Sequence, residues 1–532
     1  MPASRPAEGA AVSGGAGRLV LRGGGASALG YALRFAARLL VLLFAGRFFG
    51  ASLFGSFTIA IAVVEAASIA AGLSTKWMLF KWLDQDVKLG RAAPHALLDA
   101  LLLVLCASGL VAGLIAVAVT VAPPGSMDES TRLAILYLVP AVVLQALLEV
   151  FLAATRWTEI MRYDVIAKSL IQPLVSIAAI GLLLALGWRA VALAWGYIFA
   201  TVCALVYAAL ATRRRFGGLC LRQYRARPRL LWRRLKGAMP TTGSDLIDAL
   251  YMRVDIYLVG ILLGAHAAGI YGLARQVSMP IRQVRQAFDG MLVPLVSHTL
   301  THGTIAQAGH ALARSSRLVL VLQLPVVLLL WAFGRPLLDL VGDGFASGYA
   351  AMLCLAAAEL VQGAFGLGEL LLVYARPRLM ALLSAAFVAL GAAAAVVLEP
   401  LLGLAGIGLS VLVSYGTRAV CRRMMLRGLF GLRIDSALWS GPAVAIAAAI
   451  AVTAALWAVS VLASVGFGLG AYFGALAMWL GRAGDRLVPE GFISKGERPP
   501  RLQPARRLAA SRPSRSWESN MAARKSGTAR LK

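Results

Sequence analysis

The chain has 532 residues, of which 60% are hydrophobic and only 14% charged, with a mean hydropathy of +0.78 and a formal net charge of +28. A soluble interior of this size cannot absorb so much hydrocarbon, which excludes a soluble enzyme and places the chain in a bilayer. The same positive charge on a soluble protein would suggest nucleic acid, but here the Lys and Arg fall between apolar runs, where they orient the chain, and no nucleic-acid partner is expected.

Residues 1–28 are rich in Gly and Ala with a few Arg, and no separate apolar core precedes a cleavage site. They read as a disordered cytoplasmic N-terminus without a signal peptide. Runs of about 20 apolar residues then define spanning helices. The first half supplies 29–49, 55–76, 95–121, 133–154, 164–186 and 189–210. The first of these carries Tyr31, Arg34 and Arg38 about one turn apart, the second Glu65 and the fourth Glu149. Lys168, near the start of the fifth, is expected to snorkel toward the headgroups. From Thr212 to Pro240 the chain holds Arg213, Arg214, Arg215, Arg222, Arg225, Arg227, Arg229, Arg233, Arg234 and Lys236 without one acidic residue. Such a segment stays cytoplasmic.

The second half supplies 241–263, 270–297, 315–334, 349–374, 379–398 and 404–421. The seventh helix bears Asp248, Arg253 and Asp255, and the tenth Glu359 and Glu369. Helix eight has the clearest polar pattern. Arg275, Ser278, Arg282, Arg285 and Asp289 follow i, i+3, i+7, i+10 and i+14, one stripe of an α-helix, while Val277, Ile281, Val284, Phe288 and Leu292 take other faces. Ionisable side chains at membrane depth are costly and face a cavity or a partner. Two readings stand side by side: guanidinium groups of Arg275, Arg282 and Arg285 on the stripe and of Arg34 and Arg38 on the first helix aimed at an anionic cargo, or an internal salt-bridge network for the stripe and snorkelling to the cytoplasmic headgroups for Arg34. Asp248, Asp255, Glu65, Glu149 and Glu359 are likewise either ion-coupling carboxylates, carrying H+ or holding Na+, or permanent partners of arginines.

Two further helices, 440–461 and 464–481, bring the count to about fourteen. After them the chain turns polar and basic, through Arg501, Arg506, Arg507, Arg512 and Lys525. This tail reads as disordered and cytoplasmic, either solvated or touching anionic membrane lipid. The even-numbered connections are the basic ones, so both termini are cytoplasmic. Five cysteines have no paired spacing, no His/Cys/carboxylate cluster has metal-ligand spacing, and no Gly-rich phosphate loop is present. No cofactor is expected beyond a coupling ion, and the chain is not expected to be an enzyme.

The two halves repeat one another. Gly50-Ala51-x-x-x-Gly55-x-Phe57 recurs 214 residues later as Gly264-Ala265-x-x-x-Gly269-x-Tyr271, and Gly187-x-x-Ala190-Val191-Ala192-Leu193-Ala194 recurs 216 later from Gly403 to Ser410. The copies are six helices apart, an even number, so the halves share one orientation about an axis along the membrane normal. The expected organisation is an all-α polytopic membrane protein: a six-helix lobe at 29–212, a basic linker at 213–240, a second six-helix lobe at 241–425, two additional helices within 426–482, and the tail 483–532.

The stretch Arg253-Val-Asp255-Ile-Tyr-Leu-Val-Gly260 through Gly264, Gly269-Ile-Tyr271-Gly-Leu-Ala274 to Pro294-Leu-Val-Ser297 resembles the seventh and eighth helices of Wzx-type polysaccharide flippases. Phe49-Gly50-Ala51-x-x-Phe54-Gly55-x-Phe57 with Gly72-Leu73-Ser74-Thr75 is similar to that family's first two helices. The family lies within the multidrug/oligosaccharidyl-lipid/polysaccharide exporter superfamily. The resemblance implies alternating access, in a bacterial inner membrane, for an undecaprenyl-pyrophosphate-linked glycan of O-antigen, capsule or exopolysaccharide, with polysaccharide polymerase and chain-length proteins as partners. A multidrug exporter of the same fold would carry organic cations and need an acidic cavity. A membrane glycosyltransferase or polymerase would need acidic catalytic residues on a large outward loop, and the longest outward loop offers only Asp128 and Glu129.

Overall fold

The computed structural model describes residue 41 and residues 44–483, without 89–92, 124, 126, 159–161, 217–223, 225, 303–304, 367–368, 370–371, 373–376, 431–444, 452 and 454–460. The terminal segments 1–28 and 484–532, most of the predicted helices 29–49 and 440–461, and with them Arg34 and Arg38, lie outside the described residues.

Helices account for nearly every described residue, and no strand occurs among them. In chain order they are α1 (44–71), α2 (Thr75–Lys88), α3 (Ala93–Val121), α4 (Glu129–Trp157), α5 (Arg162–Ala185), α6 (Arg189–Arg215), α7 (Pro228–Tyr251), α8 (Val254–Leu262), α9 (Gly264–His302), α10 (Ile305–Val341), α11 (Tyr349–Gly366), α12 (Pro377–Leu402), α13 (Leu404–Phe430), α14 (445–451) and α15 (Val461–Ala483). Among the described residues nine helical stretches are long and apolar enough to cross a membrane. The chain is a multi-pass membrane protein.

The repeated glycines explain why the halves match. Gly50 has φ +72° and Gly264 φ +79°, while Gly187 has φ +81° and Gly403 φ +57°. A left-handed residue ends a right-handed helix, and only glycine adopts it without steric cost, so each repeat marks a turn between spanning segments. Gly50 thereby interrupts α1. One turn further on, the copies meet. A Cβ on Gly55 would stand 1.7 Å from the Ala265 carbonyl oxygen, and a Cβ on Gly269 would stand 2.1 Å from the Ala51 carbonyl oxygen. The two copies pack reciprocally, backbone to backbone, as small residues permit in membranes.

A hydrophobic core surrounds this crossing and draws on both halves: Ala45, Phe49, Ala51 and Phe54 pack with Ile270, Leu273, Ala274, Val277, Val341 and Phe345. Away from it the cores separate. Leu79, Trp82 and Leu83 of α2 pack with Leu97 and Ala100 of α3, Val150 of α4 and Ala238 of α7. Tyr251, Ala358, Phe387 and Tyr415 form another cluster among α7, α11, α12 and α13. The last two helices pack on α10, where Tyr472 donates to the Val321 carbonyl at 2.8 Å.

Two departures from the predicted elements matter for function. The basic segment 213–240 is helical at both ends, because α6 runs to Arg215 and α7 starts at Pro228. Proline suits a first helical turn, and Leu230, Leu231, Arg234, Leu235 and Ala238 form one inward face. The predicted seventh helix, 241–263, is broken at Met252 and Arg253, which divide α7 from α8.

Candidate functional site

A cavity of about 460 Å³ lies between the end of α1, the start of α2, α4, α5 and the junction of α7 with α8. Its wall carries Lys76, Arg156, Lys168 and Arg253 against Glu65, Glu149 and Asp245, with Gln145, Gln172, Ser68 and Ser74 between them. The cations outnumber the carboxylates by one.

Local backbone irregularities aim these side chains. Residues Ile166–Ile171 of α5 form a π-helical segment, a feature that places an extra residue per turn and occurs often at functional sites. It carries Lys168, whose ammonium reaches Glu149 on α4 and lies 3.7 Å from Asp164. Lys168 is therefore turned inward to a carboxylate, where snorkelling had been expected; the π segment, rather than the length of its side chain, fixes its direction. Arg156 lies 3.4 Å from the other Glu149 oxygen. The helix break at Arg253 frees its side chain from the α7 face and lets the guanidinium meet Glu65 on α1. Between α1 and α2, Leu73 and Ser74 have φ +49° and +47°, left-handed conformations that non-glycine residues adopt at a cost. Contacts hold the turn in place: Thr75 donates to the Gly72 carbonyl at 2.8 Å and Ser74 to Asp245 at 2.8 Å, with Lys76 3.3 Å from the same carboxylate.

Arg275, Ser278 and Arg282 of the helix-eight stripe lie on α9 and face other helices of the second half, while the side chain of Asp289 lies outside the described residues. The Arg275 guanidinium donates to Asp255 and to the Met252 carbonyl that the helix break leaves without an intrahelical partner, and the Tyr271 hydroxyl donates to the same Asp255 oxygen at 2.8 Å. The Arg282 guanidinium donates to both oxygens of Glu359 and, at 3.3 Å, to the Tyr415 hydroxyl. Arg285 is half-buried on the same face. Arg275 and Asp255 are buried, and a space of about 20 Å³ beside them has room for one water. Deeper along α13, Arg418 and Arg422 share Glu369 at 2.6 and 2.7 Å, and Arg418 stands 4.5 Å over the Tyr251 ring.

Of the residues singled out from the sequence, the structure thus joins Arg275 with Asp255 and Arg282 with Glu359 in the second half, and places Glu65 and Glu149 in the cavity. Asp248 is exposed on α7. Lys76, Asp245, Arg156 and the pairing role of Arg253 are not singled out as site residues by the sequence, although Asp245 stands beside the Gly72–Thr75 motif in space. Among the described residues no group of His, Cys, Asp and Glu could hold a metal ion.

Comparison with known proteins gives a family and a fold. The family described as "polysaccharide biosynthesis protein" matches residues 20–300. No curated protein matches the chain. Among solved structures, the lipid II flippase MurJ in an inward closed conformation is similar with a TM-score of 0.66 at 11% identity, over 86% of this chain and 99% of that one. An inward-facing multidrug resistance MATE family transporter of the MOP superfamily is similar with a TM-score of 0.63 at 14% identity, over 75% and 94%. A MOP superfamily transporter from Pyrococcus furiosus, with a binding pocket of reversed polarity, is similar with a TM-score of 0.54 at 14% identity, over 80% and 99%.

Proposed function

We propose that this chain, which belongs to the polysaccharide biosynthesis protein family, moves an undecaprenyl-pyrophosphate-linked oligosaccharide across a bacterial inner membrane by ion-coupled alternating access. The observation that carries the reading is the charge-lined cavity bounded on one side by the first-half helices and on the other by Arg253 and Asp245. With both termini cytoplasmic, Gly55 and Gly269 seal the periplasmic end and the cavity belongs to a state open toward the cytoplasm.

The cargo's pyrophosphate is assigned to Lys76, Arg156, Lys168 and Arg253. Each already sits against a carboxylate, so binding is an exchange of anions. A coupling ion taken at Glu65 or Glu149 releases Arg253 or Lys168 for phosphate, and this exchange is the coupling step. Arg275 and Arg282 hold the second half together through Asp255 and Glu359, and the lipid tail stays in the bilayer beside the cavity. Polymerase and chain-length proteins would receive the product.

The test is translocation of a lipid-pyrophosphate glycan in reconstituted vesicles under imposed proton or sodium gradients. Native protein moves the glycan, and Arg253→Ala and Lys168→Ala, folded by thermal denaturation, lose transport. Expulsion of a cationic dye with no glycan movement would replace the reading with that of a drug exporter.

A further inference from the structure

The basic connection between the halves does more than set topology. Its first helical turns, Pro228 to Pro240 of α7, have two faces of opposite character. Leu230, Leu231, Arg234, Leu235 and Ala238 point inward, and Arg229, Trp232, Arg233, Lys236 and Met239 point outward, at spacings of three and four residues. The inward face is held rigidly. Arg234 is only 5% exposed, donating to Asp86 of α2 at 2.8 Å and to Asp99 of α3, and its guanidinium lies 5.6 Å over the Trp82 ring. The Tyr224 hydroxyl donates to the same Asp99 carboxylate. Because two buried carboxylates fix one arginine, the helix cannot rotate to hide its other face.

That outer face is an amphipathic surface. Trp232 is 67% and Met239 59% exposed, between three exposed cations, and Arg213, Arg214 and Arg215 are exposed at the end of α6. No acidic residue occurs between Thr212 and Ser244 to neutralise it. Beyond Pro240 the same helix buries Thr242, Ala249 and Tyr251 among the other helices, which places this face at the edge of the bundle, where the bilayer boundary would lie. An exposed indole and thioether flanked by guanidinium and ammonium groups match the headgroup region, where apolar side chains enter the acyl boundary and cations meet phosphates.

We propose that the Arg229–Lys236 face of α7 is a binding surface for anionic phospholipid headgroups. The surface is independent of the cargo and survives if the flippase reading fails.

The full chain in nanodiscs made from phosphatidylcholine mixed with phosphatidylglycerol tests this, by native mass spectrometry of the lipids retained. One cation near an anionic surface strengthens attachment roughly fivefold, so three removed together should lower phosphatidylglycerol retention by about a hundredfold. The variant is Arg229→Gln/Arg233→Gln/Lys236→Gln; its charge-matched control is Arg213→Gln/Arg214→Gln/Arg215→Gln. Native protein and control should enrich phosphatidylglycerol while the α7 variant does not. The proposal is overturned if the α7 variant enriches as strongly as native, or if the control loses as much, since that outcome leaves only general attraction. A salt titration of native protein needs no variant: enrichment must fall as ionic strength rises, and enrichment indifferent to salt also overturns the proposal.

Discussion

Adding one methyl group at Gly55 or Gly269 should open the end of the molecule that these glycines are proposed to seal. The new Cβ of Gly55→Ala would stand 1.7 Å from the Ala265 carbonyl oxygen, and that of Gly269→Ala 2.1 Å from the Ala51 oxygen. Contact with a backbone oxygen begins near 3 Å, so α1 and α9 must part by about an ångström at this point, and neither neighbour is a side chain that can swing aside. Overpacking of this kind costs ~1–3 kcal/mol, charged against the closed state alone because the contact is absent once the halves separate. The population open at this end then rises by a factor of roughly 5 to 150. Since both substitutions strain one crossing, the double variant should cost clearly less than the two singles added. The assay uses a background without the five native cysteines, with Ala51→Cys, which is 7% exposed, as reporter. Labelling by a membrane-impermeant maleimide should accelerate by the same factor. Unchanged labelling in both single variants, with thermal stability intact, would refute the claim that this crossing holds the end shut.

Other outcomes follow from the charges. Arg282→Ala leaves Glu359 without its main cation and should destabilise the protein by ~3–5 kcal/mol, while Arg282→Ala/Glu359→Ala recovers most of the loss; thermal denaturation of both checks this. If the double variant is stable but inactive, Arg282 also meets cargo. Ser74→Ala removes the hydroxyl that anchors the left-handed turn to Asp245 and should slow transport more than it lowers stability, read from initial rates and melting temperature. Burial and the Asp99 carboxylate push the Tyr224 phenol above its ordinary range. A raised pKa in the folded state gives stability that is complete below the unfolded value of about 10 and lost as pH climbs through it toward the folded value. Native protein should therefore lose its advantage in melting temperature over Tyr224→Phe above about pH 10.

What the sequence could tell depended on whether the constraint was local. Gly50, Gly187, Gly264 and Gly403 are visible in duplicate because each must adopt a positive φ, a demand on one residue that any copy of the fold inherits. Gly55 and Gly269 are visible for a related reason, since no side chain fits at the crossing. The stripe from Arg275 to Arg285 was legible as a face by its period. Its partners were not, since periodicity gives the direction of a side chain but never the neighbouring helix: Glu359 lies 77 residues from Arg282, and Asp99 lies 135 from Arg234. Arg234 is the sharpest case. Among ten cations it is indistinguishable by sequence from Arg233, yet one is exposed and the other held by two carboxylates. The π segment around Lys168 has no signature in Ile-Ala-Lys-Ser-Leu-Ile, so the direction of that lysine could come only from the structure.

Burial divides the cations by what they can exchange. In the cavity the pairs are partly open to water: the side chains of Lys168 and Glu149 are 23% and 36% exposed, and those of Arg253 and Glu65 are 27% and 24%. A pair in that setting is worth about 1 kcal/mol, which the proposed pyrophosphate cargo would offset with one or two charge-assisted hydrogen bonds of its own. Arg275 and Asp255 are 8% and 3% exposed, and separating them strands a charge at a cost of ~3–5 kcal/mol before any ligand arrives. A transporter must release its cargo as well as hold it, so the weak, wet pairs suit the proposed cargo site and the strong, dry ones suit joints within the second half. Arg282 and Glu359, at 14% and 11%, lie close to the dry class. On this ground the proposed cargo site is placed where cations are numerous and half-solvated, beside Glu65 and Glu149, and the α9 stripe is proposed as the fastening of the second half.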